Sequence, residues 1–386
     1  MARIEIVTFN AGGGHQAAAR ALTAALAQRH PQWEVHVVNL FDLLDPQRHF
    51  RRFTGLAPED LYNLRLRRGL TFGLAQELRL LQATVRASRA LMTRRLQPYW
   101  QRTRPDLVVS LIPNFNRPLA DSVQLALPGT PYVTVLTDLA DHPPHFWIEP
   151  QTEQHVVCGT ARAVEQARAQ GVPAHRIHRV SGMLLHPSFY SPLPASTAEQ
   201  RQALGLHPER VTAVISFGGY GAPAMRAIAR ALPDLQLVLL CGHNLALAQQ
   251  LRSLRAQAAR AVVGFTPDVR RYLQLADFFI GKPGPGSLSE AIHLGLPVIT
   301  FCNAATMPQE RYNTQWVREH GLGLVVPSVR RLRPAVEALL ADLETYRKRV
   351  RSMRNNAVFE VVALLERLLS GSQRTLPANN SVLWRG

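Results

Sequence analysis

Short apolar runs alternate with longer segments of helical periodicity along most of the chain, and this alternation restricts the fold more than any other feature. "IEIVTF" (4–9) leads into a small-residue helical pattern over 15–29, and "WEVHVVNLF" (33–41) follows. "DLVVSLIP" (106–113), "PYVTVLTD" (131–138) and "EQHVVCG" (153–159) continue, the last ahead of the helical "TARAVEQARAQG". Nearly continuous apolar strands separated by helices imply a parallel sheet covered on both faces. The pattern lapses into the Pro- and Ser-rich "HPSFYSPLPASTAEQRQALGL" (186–206), read as a linker. It then restarts with "VTAVISFGGYGAP", "LQLVLLCG", "RAVVGF" and "DFFIGKPGPGSLSEAIHLGLPVITFC". A chain of 386 residues also suits two cores better than one. The expectation is two α/β domains, 1–190 and 191–345, with a helix near 350–370 packing back on the first and a flexible tail at 371–386.

Charge narrows the partners. The formal net charge is +17, and Lys282 and Lys348 are the two lysines, so arginine carries nearly all of it. Such an excess favours an anionic partner: a phospholipid surface, nucleic acid or a phosphorylated substrate. The excess is concentrated in 48–104, where Arg65, Arg67, Arg68, Arg79 and Arg86 alternate with Leu, Phe, Tyr and Trp. Between 60 and 104 the acids are Asp60 and Glu77. A basic amphipathic segment can lie on an anionic bilayer, or it can be a solvated helical face packed on the first domain. No aromatic-basic recognition motif accompanies it, so nucleic acid is the weaker partner. Cys158, Cys241 and Cys302 each adjoin an apolar run and read as small thiols near strand ends rather than disulfides or metal ligands. The opening "MARIEIVTFN" reads as a first strand rather than a signal peptide. No run approaches the roughly 20 apolar residues of a spanning helix. The expected location is the cytoplasm, with peripheral attachment to the inner face of the cell membrane.

Three glycine turns join strand to helix: "NAGGGH" with Gly12, Gly13 and Gly14, "FGGYG" with Gly218, Gly219 and Gly221, and "KPGPGS" with Gly286 and Ser287. Glycine lets backbone N–H groups approach a phosphate, and the following helix N-terminus adds partial positive charge. None matches the dinucleotide or the P-loop spacing, and each alone is equally a tight turn. The third stands out because Glu290 follows on the opening of its helix. A carboxylate there can accept hydrogen bonds from vicinal ribose hydroxyls, or simply complement the helix dipole.

These stretches resemble the family-28 glycosyltransferases, most closely the monogalactosyldiacylglycerol synthase and processive diacylglycerol glycosyltransferase group. "GGGH", "VLTDLADHPPHFW" (135–147), "SGMLLHPSFY" (181–190), "ISFGGYGAP" (215–223), the 262–299 run and "PQERYNTQWV" (308–317) recur in that group's order. The resemblance implies a GT-B fold, two Rossmann-like domains facing across a cleft, and an inverting transfer of a hexose from a UDP-sugar to a membrane lipid, diacylglycerol foremost. It implies that the Phe265 backbone sets a uracil pocket and that Gly218, Gly219, Gly221, Gly286 and Ser287 surround the diphosphate. Glu290 would hold the ribose, and Gln309, Glu310 and Asn313 would address the sugar. The acceptor would enter over the first domain near His142. Two positions depart from the group: His186 stands where relatives carry arginine, and bulky Tyr220 occupies an otherwise open loop.

An attacking hydroxyl needs a base, and His15, at the mouth of the first glycine turn, has a suitable intrinsic pKa. Asp138, at the end of "VTVLTD", is the rival, as the base or as the group orienting His15. His142 and His186 read as acceptor- or phosphate-loop residues. No D-x-D motif lies between strand and loop, so no metal or other cofactor is expected. Two alternatives remain: a UDP-N-acetylglucosamine transferase acting on an undecaprenyl-linked or other acceptor, and a basic protein that binds nucleic acid or an anionic surface without catalysis.

Overall fold

In a computed structural model the described residues are 1–9, 13–45, 74–191 and 197–373. Gly12, Arg65, Arg67, Arg68 and all but the first three residues of the expected tail lie outside them. Two six-stranded sheets form, and every strand pair is parallel. The first contains β1 (Arg3–Thr8), β2 (Glu34–Asn39), β3 (Leu107–Ser110), β4 (Tyr132–Val135), β5 (Gln154–Cys158) and β6 (Ile177–Arg179), in the order β2-β1-β3-β4-β5-β6. The second contains β7 (Thr212–Ser216), β8 (Gln236–Leu240), β9 (Arg260–Val263), β10 (Phe278–Gly281), β11 (Val298–Phe301) and β12 (Gly323–Val326), in the order β12-β11-β10-β7-β8-β9. The strands read as apolar runs because helices cover both faces; β3, β4, β8, β10 and β11 are buried throughout.

This order determines where a ligand can bind. In the first sheet the chain runs outward from β1 to β2, then returns to β3 on the other side of β1. In the second it runs from β7 to β8 and β9, then returns to β10 on the other side of β7. At each reversal the connecting segments leave the strand ends in opposite directions and open a crevice, the usual site in doubly wound sheets. The turns after β1, β7 and β10 are the three glycine turns.

Six helices matter below: α1 (Gly14–Arg29), α2 (Leu74–Ala87), α3 (Arg89–Thr103), α4 (Pro285–His293), α5 (Pro308–Glu319) and α6 (Ala357–Gln373). The expected linker contains a 3-10 turn (Pro187–Tyr190) and a short helix (Thr197–Ala203). From the second domain the chain crosses back past 181–183, where the Asn355 side chain donates to the Met183 carbonyl (3.0 Å) and the Asn356 N–H donates to Ser181 Oγ (2.7 Å). Then α6 buries Val358, Val361, Val362, Leu365 and Leu369 in one core with Ile4 and Ile6 of β1 and Leu22 and Leu26 of α1. Glu366 on its polar side meets His30 and Arg29 at the end of α1. The last helix among the described residues is therefore part of the first domain's core. Leu365→Ala should destabilise that domain by about 2–5 kcal/mol through lost burial and the cavity left behind. Hydrogen exchange at β1 amides would read this, and unchanged protection would contradict a core role for α6.

Candidate active site

The first wall is built from the turn after β1. Gly13 precedes α1, and the first hydrogen bond of the helix runs from Ala17 N–H to Gly13 O (3.0 Å). A Cβ placed on Gly13 or Gly14 would meet nothing within 4 Å, so the turn faces open space. His15 follows, half-buried, with Phe9 edge-on at 4.8 Å and the Trp147 ring at 5.9 Å. Its Nδ1 lies 3.0 Å from Thr137 Oγ1. Burial pulls the imidazole pKa down to about 4, against a smaller opposing effect of a hydrogen bond to the Leu111 backbone. Near neutrality the ring is uncharged, as a base must be.

Residues 136–148 form the adjoining wall, and their shape depends on Asp141. That carboxylate is fully buried and accepts from the N–H groups of Trp147 (2.6 Å) and His145 (3.2 Å) and from Gln170 Nε2 (2.7 Å). The loop so folded brings the Trp147 indole N–H to Asp138 Oδ2 at 3.0 Å. Asp138 is 7% exposed, and burial raises its pKa to about 7. The indole hydrogen bond and Lys282 oppose the rise, while Glu310 and Asp141 add to it. Lys282 and Glu310 belong to the other domain, so Asp138 faces the opposite wall of the cleft. His142 is exposed on this loop. His186 lies further away: it caps the 3-10 turn by accepting from Ser188 N–H (3.2 Å), and burial and Arg20 lower its pKa.

The second wall comes from the turns after β7 and β10. Gly218 and Gly221 have φ of +81° and +57°, and a Cβ on Gly221 would stand 2.7 Å from Leu247 Cδ2. These positions require glycine. After β10, Gly284 precedes α4, and Leu288 N–H is bonded back to Gly284 O (3.0 Å). The N–H groups of Gly286 and Ser287, in the first turn, have no partner within the helix, and Pro285 has no N–H to offer. Such free N–H groups at a helix start can receive an anion. Glu290, one turn on, is half-buried, and burial raises its pKa to about 7.

The sugar-facing residues expected on α5 separate. Glu310 is 5% exposed and accepts from Lys282 Nζ at 2.8 Å. Gln309 is half-buried, its Nε2 3.7 Å from Met307 Sδ. Asn313 is buried beneath the turn, where its Nδ2 donates to the Pro283 carbonyl (2.7 Å) while its Oδ1 has no partner. Phe265 is 61% exposed, and its ring stacks on His243 (4.0 Å, 18°), with Tyr220 next to it at 5.7 Å. Sequence reasoning missed Thr137, Trp147, His243 and Lys282. The signals were present: three lie inside or beside quoted motifs, and Lys282 is a rare lysine in an arginine-rich chain.

Arg79 and Arg86 are exposed on α2, alongside exposed Leu80 (69%) and Leu81 (41%), with Leu91 (53%) on α3. Val85, Leu96 and Trp100 anchor the opposite faces in the first domain. No helix among the described residues is long and apolar enough to cross a membrane, and none of their His, Cys, Asp and Glu side chains form a metal-sized cluster.

Comparison with known proteins agrees with this geometry. Residues 15–182 match the monogalactosyldiacylglycerol synthase family, and residues 222–368 match the glycosyltransferase family 28 C-terminal domain. The chain is 27% identical to monogalactosyldiacylglycerol synthase 1 of Arabidopsis thaliana over 83% of its own length and 61% of the relative's. It is 23% identical to the processive diacylglycerol beta-glucosyltransferase of Bacillus subtilis (strain 168), over 65% of each. The chain thus spans about 61% of that plant relative. Among solved structures, the calicheamicin glycosyltransferase CalG4 superposes with a TM-score of 0.62 at 16% identity, covering 96% of this chain and 99% of that one. MurG of Acinetobacter baumannii gives 0.57 at 14%, covering 95% and 100%. Both likenesses establish the GT-B fold. The two family matches lie on either side of the linker, one in each domain: the first domain is similar to the monogalactosyldiacylglycerol synthases and the second to the family-28 glycosyltransferase C-terminal domain.

Proposed function

We propose that this protein transfers a hexose from a UDP-sugar to a lipid hydroxyl, that of diacylglycerol, with inversion and without a metal. The observation that carries the reading is the facing pair of walls: a neutral His15 on one, and on the other a glycine-lined helix start beside Glu290 and Glu310. The acceptor hydroxyl oxygen attacks the anomeric carbon while its proton passes to His15. The bond from that carbon to the β-phosphate oxygen breaks, and its electron pair leaves with UDP. Gly286 and Ser287 N–H groups at the start of α4 would meet the diphosphate charge, which leaves no step that needs a cation from outside. Glu290 would accept from the ribose hydroxyls, and Gln309 and Glu310 from the sugar.

The lipid would be reached from a membrane surface. On α2 and α3, exposed leucines beside arginines suit an interface where guanidinium groups meet phosphates and leucines meet the acyl boundary. We place the protein in the cytoplasm, bound peripherally to the inner face of the cell membrane.

UDP release should be measured over a panel of UDP-hexoses and UDP-N-acetylglucosamine with diacylglycerol-containing vesicles. His15→Ala should lower turnover by about 10²–10⁴-fold, the usual contribution of a general base, with UDP affinity kept within about twofold. Retained turnover would remove the base assignment. By NMR the His15 ring should titrate near 4 rather than near the ordinary 6.5. A midpoint at the ordinary value would show that burial does not hold the ring neutral. Arg79→Glu with Arg86→Glu should weaken binding to phosphatidylglycerol vesicles by about tenfold or more, and high salt should detach the wild type. Binding indifferent to salt would contradict an arginine-led surface.

A further inference from the structure

Both glycine turns of the second domain fix Lys282. Its Cε lies 3.2 Å from where a Cβ on Gly284 would stand and 3.6 Å from where one on Gly218 would stand. A side chain at Gly284 would press on the end of the lysine, which would have to shift by a few tenths of an ångström. The Nζ donates to Glu310 Oε1 at 2.8 Å. The two partners differ in exposure: the Glu310 side chain is 7% accessible, the Lys282 side chain 35%. A buried carboxylate needs a cation, whereas an ammonium with three donors keeps some for an anion arriving from the cleft. The exposed side of this ammonium lies between the two loops that carry Gly218 and Gly284. Its charge also reaches Asp138 on the opposite wall, which places it toward the middle of the cleft.

We propose that Lys282 binds the β-phosphate of the nucleotide and takes up the charge that appears there as the sugar departs. The assignment rests on the UDP-sugar reading above. When the bond from the anomeric carbon breaks, its electron pair stays on the β-phosphate oxygen, and the diphosphate gains one negative charge. Lys282 keeps its proton throughout, so it stabilises by charge and hydrogen bonding alone. In the empty site Glu310 holds the ammonium in place. With the donor bound, the phosphate takes donors that Glu310 leaves free, and the second Glu310 oxygen remains available to a sugar hydroxyl. A charge-assisted hydrogen bond in a cleft closed to water gains strength as the oxyanion develops.

Calorimetric titration of UDP against UMP isolates this contact, because the two ligands differ by the β-phosphate. Lys282→Met combined with Glu310→Gln removes the ammonium without stranding a buried carboxylate. The wild type should prefer UDP, and the double variant should lose about tenfold or more of that preference while UMP affinity holds within about threefold. Lys282→Arg, which keeps the charge, should retain part of the preference. Retained UMP binding also reports an intact fold. An unchanged UDP-to-UMP ratio overturns the proposal and leaves the donor reading standing, as does an equal loss of both ligands at an unchanged melting temperature. Failure of the wild type to bind UDP overturns the donor reading and the proposal together.

Discussion

The first wall of the cleft depends on one buried carboxylate. Asp141 has no exposed surface, and its oxygens gather the N–H groups of Trp147 and His145 and the amide of Gln170. Its own backbone is paired in both directions with the side chain of Gln166. Burial raises the pKa of this carboxyl, and the donors gathered around it oppose the rise, each charge-assisted bond contributing about 1.5–3 kcal/mol. The consequence is geometric. The chain leaving β4 folds tightly enough to bring Trp147 near His15 and to turn its indole N–H onto Asp138. The site's environment therefore follows from a residue that need never touch substrate.

That arrangement separates two roles that the sequence left joined. Asp138 could have been the group that orients His15, as in many His–Asp pairs. Its carboxyl is instead held by Trp147, while the Thr137 hydroxyl meets His15 Nδ1. Orientation of the imidazole thus falls to a neutral partner, which leaves its pKa low. The charge of Asp138 is set mainly by burial and partly by residues of the other domain. With a pKa near 7, pushed upward by Glu310 and downward by Lys282, its ionisation responds to what binds between them.

Much of this architecture was legible. Parallel-sheet grammar read twice gave five strands in each half, missing the edge strands β6 and β12, and the apolar stretch near 350–370 is α6. The glycine turns were legible because positive φ and close approach leave a compositional mark. What could not be read was which side chains meet across 100 residues or more. His15 and Thr137 lie 122 positions apart, and nothing local in either motif records the contact. Asn313 shows the same limit: nothing in its motif records that its amide donates to the Pro283 carbonyl. A helical face predicted from spacing does not reveal that the next turn of chain has covered it.

The choice of cation follows from the shape of each place. On α2 the positive charges are arginines beside exposed leucines, where a flat, weakly hydrated guanidinium can engage lipid phosphates from many directions. In the cleft Lys282 runs beside Gly218 and Gly284, and its compact ammonium meets Glu310. A chain that uses arginine almost everywhere keeps one of its two lysines at that point. Glycine spacing and lysine size form a single constraint: the turns stay bare so that backbone N–H groups and one ammonium can face the same side of the cleft.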